Sequence, residues 1–187
     1  LQVRRELFVP DHLRETAYAD AILDLGHGRI ILEPRTFAKM LDAVDIQSNE
    51  LVLDIGCGLG YSSAVIGRFS EAVVAIEQNK YMATESEVNL VAEGCLNVAV
   101  VQGNLAEGAV QHAPFDVIVV QGAVEHVPEP VIAQLAEGGR IVAVFSQKGQ
   151  GAVRVGYKSD GQISWRFACN AFAPVLSGFV KERSFAL

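Results

Sequence analysis

Apolar positions fall into two textures along the chain, changing near residue 50. In residues 11–25, Leu13, Ala17, Ala21, Ile22 and Leu25 recur at helical spacing behind Asp11, a residue suited to an N-cap, and this predicts a helix. Gly26-His27-Gly28 breaks that pattern, 29–32 is short and apolar, and Pro34 suits the first turn of a second helix reaching about Val44. From Leu51 onward, short apolar runs alternate with longer helical patterns, as in βαβ units around a parallel sheet. Strands are predicted at 51–55, 72–76, 98–101, 116–120 and 140–145, with helices after Gly60 and at 80–92 and 130–135. A polar, Gly-rich connection follows Phe145, after which 153–157 and 163–167 flank a Ser159-Asp160-Gly161 turn that predicts a hairpin. The expected fold is α/β: a Rossmann-like, doubly wound, mostly parallel sheet with an antiparallel hairpin at its C-terminal edge. Nothing in repeats or composition divides the chain, so residues 1–187 are expected to form one domain.

The first predicted strand ends in Asp54, and Gly56, Gly58 and Gly60 follow at every second position before an amphipathic helix. Such a turn lets the backbone approach a ligand closely. A dinucleotide fingerprint spaces its glycines as GxGxxG to seat a pyrophosphate; here the third such position is Tyr61, which argues against a nicotinamide oxidoreductase. S-adenosylmethionine has no phosphate and presents an ammonium and a carboxylate, and Asp54 suits the cation. At the end of the next strand Glu77 places a carboxylate where both ribose hydroxyls of such a donor could be accepted. Gln102-Gly103-Asn104 stands where the adenine amino group would be met, and an Asn oxygen can accept that bond.

Composition narrows the partners. Acidic residues outnumber basic ones by 22 to 15, with no Lys or Arg run, so no footprint for a phosphate backbone is present and nucleic acid is not expected. No apolar stretch approaches the roughly 20 residues of a membrane span, and residues 1–6 lack a secretory pattern, so the expected setting is cytoplasmic. Three scattered cysteines, Cys57, Cys95 and Cys169, without CxxC spacing predict neither disulfides nor a metal site. A monomer is expected.

Short motifs in order resemble the protein-L-isoaspartate O-methyltransferases, class I enzymes dependent on S-adenosylmethionine. Arg5-Glu6-Leu7-Phe8-Val9-Pro10 is similar to the family's Arg-x-x-Phe-Val-Pro, and Ala17-Tyr18-Ala19-Asp20 to its Ala-Tyr-x-Asp. Pro34 with Ala38-Lys39-Met40 matches the helix start, and residues 52–61 match the cofactor motif including its aromatic residue, Tyr61. Ala113-Pro114-Phe115-Asp116, Gln134-Leu135 and Gly138-Gly139-Arg140 match the entries to the fourth and fifth strands. The resemblance implies methylation of the abnormal α-carboxylate of isoaspartyl residues in damaged proteins. It implies a substrate-side N-terminal helical segment over 1–47, a cofactor core over 48–145 and edge strands over 146–187. It also implies a donor site of Asp54, Gly56, Cys57, Gly58, Gly60, Tyr61, Glu77, Gln78, Gly103, Asn104, Leu105 and Gly122.

Three departures from the family pattern stand out, at the acceptor serine, at the third cofactor motif and at the N-terminus. Leu32 stands at the position of the family's substrate-contacting serine, Gly103-Asn104-Leu105 replaces Gly-Asp-Gly, and no helical segment precedes the Arg-x-x-Phe-Val-Pro stretch in this sequence. A carboxylate acceptor, with a pKa of about 3.9, is already an anion and needs no general base. Catalysis then rests on alignment and exclusion of water. Leu32, Glu33 and His126 are the catalytic-side candidates; a phenol or amine acceptor would draw on Glu125, His126, His27 or Glu33 as base, and Arg29 could neutralise a substrate carboxylate. A small-molecule acceptor, and a cofactor-binding relative with little catalysis, are the alternatives.

Overall fold

A computed structural model describes residues 3–147 and 150–181. Seven strands form one sheet in the order β5-β4-β3-β6-β7-β8-β9, comprising β3 (Leu51–Ile55), β4 (Ala72–Glu77), β5 (Val98–Gln102), β6 (Phe115–Val124), β7 (Leu135–Gln147), β8 (Gln150–Ser159) and β9 (Gln162–Asn170). The first five in chain order pair in parallel, and β8 and β9 are antiparallel additions to one edge. The α/β class expected from the apolar pattern is therefore the fold observed. Asp160 and Gly161 close the β8–β9 hairpin with φ of 54° and 74°, the left-handed pair that matches the twist of a two-residue turn.

Alternating side chains of the central strands build a core on each face of the sheet. On one face Val52, Val117, Val119, Val142 and Val144 pack with Phe37, Met40 and Val44 of α1 (Pro34–Val44). On the other, Leu53, Ile55, Val74, Ile76, Ile118 and Val120 pack with Leu105, Val131, Leu176 and Phe179. Apolar runs without alternation in β3, β4 and β6 are thus explained by burial on both sides. The helix α2 (Tyr61–Ile66) follows β3, and α3 (Lys80–Ala92) follows β4 with Asn79 capping it through Met82 N at 3.1 Å. The short α4 (Glu129–Ala133) precedes β7.

The N-terminal third departs from expectation. Instead of a helix over 11–25, a 3-10 turn at Asp11–Thr16 buries no residue, and the chain then runs into β1 (Leu23–Gly26), paired antiparallel with β2 (Arg29–Ile31). Leu23 and Leu25 point inward on either side of an exposed Asp24, the period of a strand, and His27-Gly28 closes the hairpin with φ of 53° and 71°. Apolar residues four apart satisfy both periods, and packing decides: Leu23, Leu25 and Ile31 join Phe8, Leu59, Ala64, Met82 and Leu90 in a third cluster. The segment expected to be helical over 1–47 therefore has only α1 as an α-helix among its described residues.

Strand β6 also outruns its predicted end at residue 120. The additional backbone finds partners in the C-terminal segment: Ala123 N donates to Pro174 O and Leu176 N to Ala123 O, each at 2.9 Å. Glu125 N and His126 N both donate to Phe179 O. No helix of the described residues is long and apolar enough to cross a membrane.

Candidate active site

The tips of β3, β4 and β6, where parallel strands of such sheets present their loops, carry the expected residues. Gly56, Gly58 and Gly60 all have left-handed φ, of 80°, 58° and 98°, so the turn between β3 and α2 takes a path open to glycine. Gly58 N donates to Glu77 Oε2 at 3.1 Å, which ties the loop to the tip of β4. Glu77 is fully buried.

Its other contacts determine what it can do. Arg29 Nε lies 3.0 and 2.9 Å from the two Glu77 oxygens, and Asn79 N donates to Oε1 at 2.8 Å. A carboxylate offers about four lone-pair sites. Gly58 N, Asn79 N and Arg29 Nε make three N–H donors, the Arg29 Nε–H being shared between both oxygens, and all come from within the chain. Arg29 is itself 4% exposed, so this is a buried ion pair rather than a surface one. The sequence had suggested Arg29 as a partner for a substrate carboxylate; its Nε is instead committed to Glu77 and its Nη1 to Gly28 O at 3.3 Å.

Asp54, expected to face a donor ammonium, turns into the protein. Ser62 Oγ and Ser63 Oγ donate to its Oδ2 at 2.6 and 2.5 Å, and Gln121 Nε2 to its Oδ1 at 2.7 Å. Burial pushes the Asp54 carboxyl above its ordinary value, against the three donors that favour the anion. Ser62, Ser63 and Gln121 were not singled out from the sequence. The serines follow the glycine loop directly and could have been suspected as partners; Gln121 becomes a neighbour only because β6 pairs with β3. Cys57 is buried, and burial pushes its thiol well above the usual range.

Side chains of the chain itself pack against Gly56, Gly58 and Gly122, while Leu59 and Leu25 border a cleft of about 300 Å³ with Tyr81, Met82 and Glu85. A Cβ at Gly58 would lie 2.8 Å from Leu25 Cδ1, and one at Gly56 would lie 3.5 Å from Leu105 Cδ1 and 3.6 Å from Leu176 Cδ1. At Gly122 a Cβ would come within 2.6 Å of Leu176, so the absence of a side chain there admits the C-terminal segment. Leu32, Cys57, Tyr61, Ser62 and Gln121 surround a gap of only about 10 Å³. The larger groove, about 420 Å³, lies between α1 and α2 and is bordered by none of residues 54–60, nor by Glu77.

The remaining candidates are dispersed. Glu33 borders a separate polar cleft with Arg35, Lys39 and Asn170, away from Leu32's gap. Asn104 is exposed and caps its own turn, accepting from Ala106 N at 3.0 Å and donating to Glu107 Oε1 at 3.1 Å. Gln78 is exposed, and Gly103 packs near Ile76. His126 is half-buried beneath the C-terminal segment, with no partner for its Nδ1 among the described residues. Arg5 is buried, donates to Leu32 O at 3.0 Å and lies 4.7 Å above the Tyr61 ring, joining the N-terminal turn to the family serine position. No group of three or more His, Cys, Asp or Glu suited to a metal occurs among the described residues.

Comparison with known proteins is decisive about kinship. The family described as Protein-L-isoaspartate(D-aspartate) O-methyltransferase (PCMT) matches residues 1–178. The chain belongs to this family. A protein-L-isoaspartate O-methyltransferase of Stenotrophomonas maltophilia is 36% identical over 180 residues, which cover 95% of this chain and 80% of that relative. A solved protein-L-isoaspartate O-methyltransferase superposes with a TM-score of 0.84 at 26% identity, over 96% of this chain and 60% of the other. A PCMT structure from Plasmodium falciparum, in complex with S-adenosyl-L-homocysteine, shares the fold with a TM-score of 0.78 at 19% identity, over 93% and 86% of the two chains. The chain thus spans about three fifths of the first of these solved structures. The PCMT fold accounts for the seven-stranded sheet and its antiparallel edge.

Proposed function

We propose that this PCMT-family chain is a single-domain, monomeric, cytoplasmic carboxyl O-methyltransferase that uses S-adenosylmethionine and acts on L-isoaspartyl residues of damaged proteins. One observation carries the reading: the family match runs over residues 1–178, and within it the glycine turn after β3 meets a carboxylate, Glu77, at the tip of β4. The donor set suits the group in chemistry, because Glu77 can accept hydroxyls and the glycines permit close approach. In space the set is closed, since Arg29 and Leu25 lie against Glu77 and Gly58.

S-adenosylmethionine supplies an electrophilic methyl group on a sulfonium. The chain's task is then to hold an acceptor carboxylate in line with it and to keep water away. A carboxylate with a pKa of about 3.9 is ionised at neutral pH, so a Leu32 gap lined among the described residues by Cys57, Tyr61, Ser62 and Gln121 rather than by a His, Asp or Glu suits this acceptor better than a phenol or an amine. Residues 1–47 supply the acceptor side: Leu32, held by Arg5, replaces the family hydroxyl with an apolar wall.

A second reading has its own support. Leu32 is 2% exposed and carries no hydroxyl, which favours either another small acceptor or a relative with little catalysis. Labelled donor, offered with an isoaspartyl peptide, its aspartyl twin and a panel of small carboxylic acids, separates the three. Methyl incorporation confined to the isoaspartyl peptide is the expected result, and incorporation only into small acids, or none, counts against it.

A further inference from the structure

The β1–β2 hairpin sits where a ligand of the glycine turn would sit. Its turn, His27-Gly28, is exposed, while Leu25 and Arg29 on either side of it are buried. Leu25 covers Gly58, and Arg29 engages both oxygens of Glu77. A two-stranded hairpin is marginal by itself, so these side-chain anchors hold it in place. Three N–H donors of the chain already hold the two Glu77 oxygens, with Arg29 Nε–H bridging them, so an incoming hydroxyl pair competes with Arg29 for both.

We propose that the hairpin is an internal competitor of the methyl donor, with Arg29 as the group that the donor's ribose hydroxyls must displace from Glu77. This rests on the donor reading given above. Donor affinity is then set by two quantities, the intrinsic fit of the opened groove and the fraction of molecules in which Arg29 has left Glu77. Apparent affinity is reduced in proportion to that fraction, so weakening either anchor tightens binding. The hairpin lifts and returns without any covalent change.

Calorimetric titration with S-adenosylhomocysteine of the native chain, Arg29→Met and Leu25→Ala tests this, together with amide exchange of residues 23–31. Arg29→Met leaves a buried carboxylate unpaired and can fail to fold; Leu25→Ala keeps the ion pair and decides the matter in that event. The expected result is tighter binding, by about tenfold or more in Arg29→Met and severalfold in Leu25→Ala, with faster exchange at 23–31 in the native chain once ligand is added. Native affinity equal to or better than both variants, with 23–31 more protected on binding, overturns the competitor while leaving the donor reading intact. No binding by any of the three removes the donor reading and the competitor with it.

Discussion

Glu77 and Asp54 satisfy their buried carboxylates in opposite ways. Both are buried carboxylates beside the glycine turn, yet one is paired with a cation and the other only with neutral donors. Removing one member of a buried pair strands the other, so Glu77→Ala is expected to cost about 3–5 kcal/mol in urea unfolding. The double variant Glu77→Gln with Arg29→Met is expected to cost far less than the sum of the single changes, and additive losses would contradict a coupled pair. For Asp54 the folded-state value is raised. Its contribution to stability is therefore full below the ordinary carboxylate range and declines as pH rises through the folded value. Whatever fixed cost Asp54→Asn carries, the difference in stability between variant and native chain should move in the variant's favour from about pH 3 to pH 7. A difference independent of pH would show that Asp54 does not titrate differently in the folded chain. At this scale the sequence identified the carboxylates and the loop but not their partners. Arg29 is 48 residues from Glu77 and Gln121 is 67 from Asp54, separations that only the assembled sheet brings together.

Elements were legible where one period dominated. The strands β3, β4 and β5, and the helices α1 and α3, stand within a residue of their predicted bounds; in β3 and β4 this follows from short apolar runs buried on both faces. Residues 11–25 were misread because spacing by four fits a helix face and the same face of a strand, and only the cluster around Leu59 and Met82 selects the strand. The long end of β6 was hidden for another reason: Ala123, with Glu125 and His126 beyond it, pairs with distant backbone at 174–179, while the added residues of β7 pair with Phe115 at one end and with Gly151 and Gln150 at the other. One clamp between elements is testable by pH. Arg140 on β7 holds the C-terminal end of α1 through Val44 O and Asp45 O and grips Glu50 ahead of β3 at 2.6 and 2.9 Å. Burial alone would raise the Glu50 carboxyl, but the Arg140 guanidinium and Gln47 N outweigh it and hold it below the ordinary value of 4.5. Stability from this pair is present above that value and is lost as pH falls through the lowered one. Glu50→Gln should cost on the order of 1 kcal/mol near neutral pH, with the gap to the native chain closing as pH falls below about 4.5. A gap that persists undiminished in acid would place the cost in packing rather than in charge.

At the scale of the molecule, the parallel sheet gathers the glycine turn, Glu77 and the end of β6 at the C-terminal ends of its central strands, while the N-terminal hairpin and the C-terminal segment close over them. The first half of that arrangement follows from alternating apolar patterns and the GxGxG spacing, and kinship with the PCMT family agrees with it. The closure was not legible, because Leu25, Arg29 and Leu176 look like ordinary hairpin, loop and tail residues until the chain is folded around the turn. Methyl transfer to isoaspartate is measured most directly with labelled S-adenosylmethionine at saturating concentration and two peptides identical except for an isoaspartyl or aspartyl linkage. Base-labile methyl ester is expected on the isoaspartyl peptide, with kcat/KM at least about a hundredfold above its twin, a preference of roughly 2.7 kcal/mol in transition-state binding. Equal labelling of the two peptides, or no ester on either at saturating donor, would contradict it.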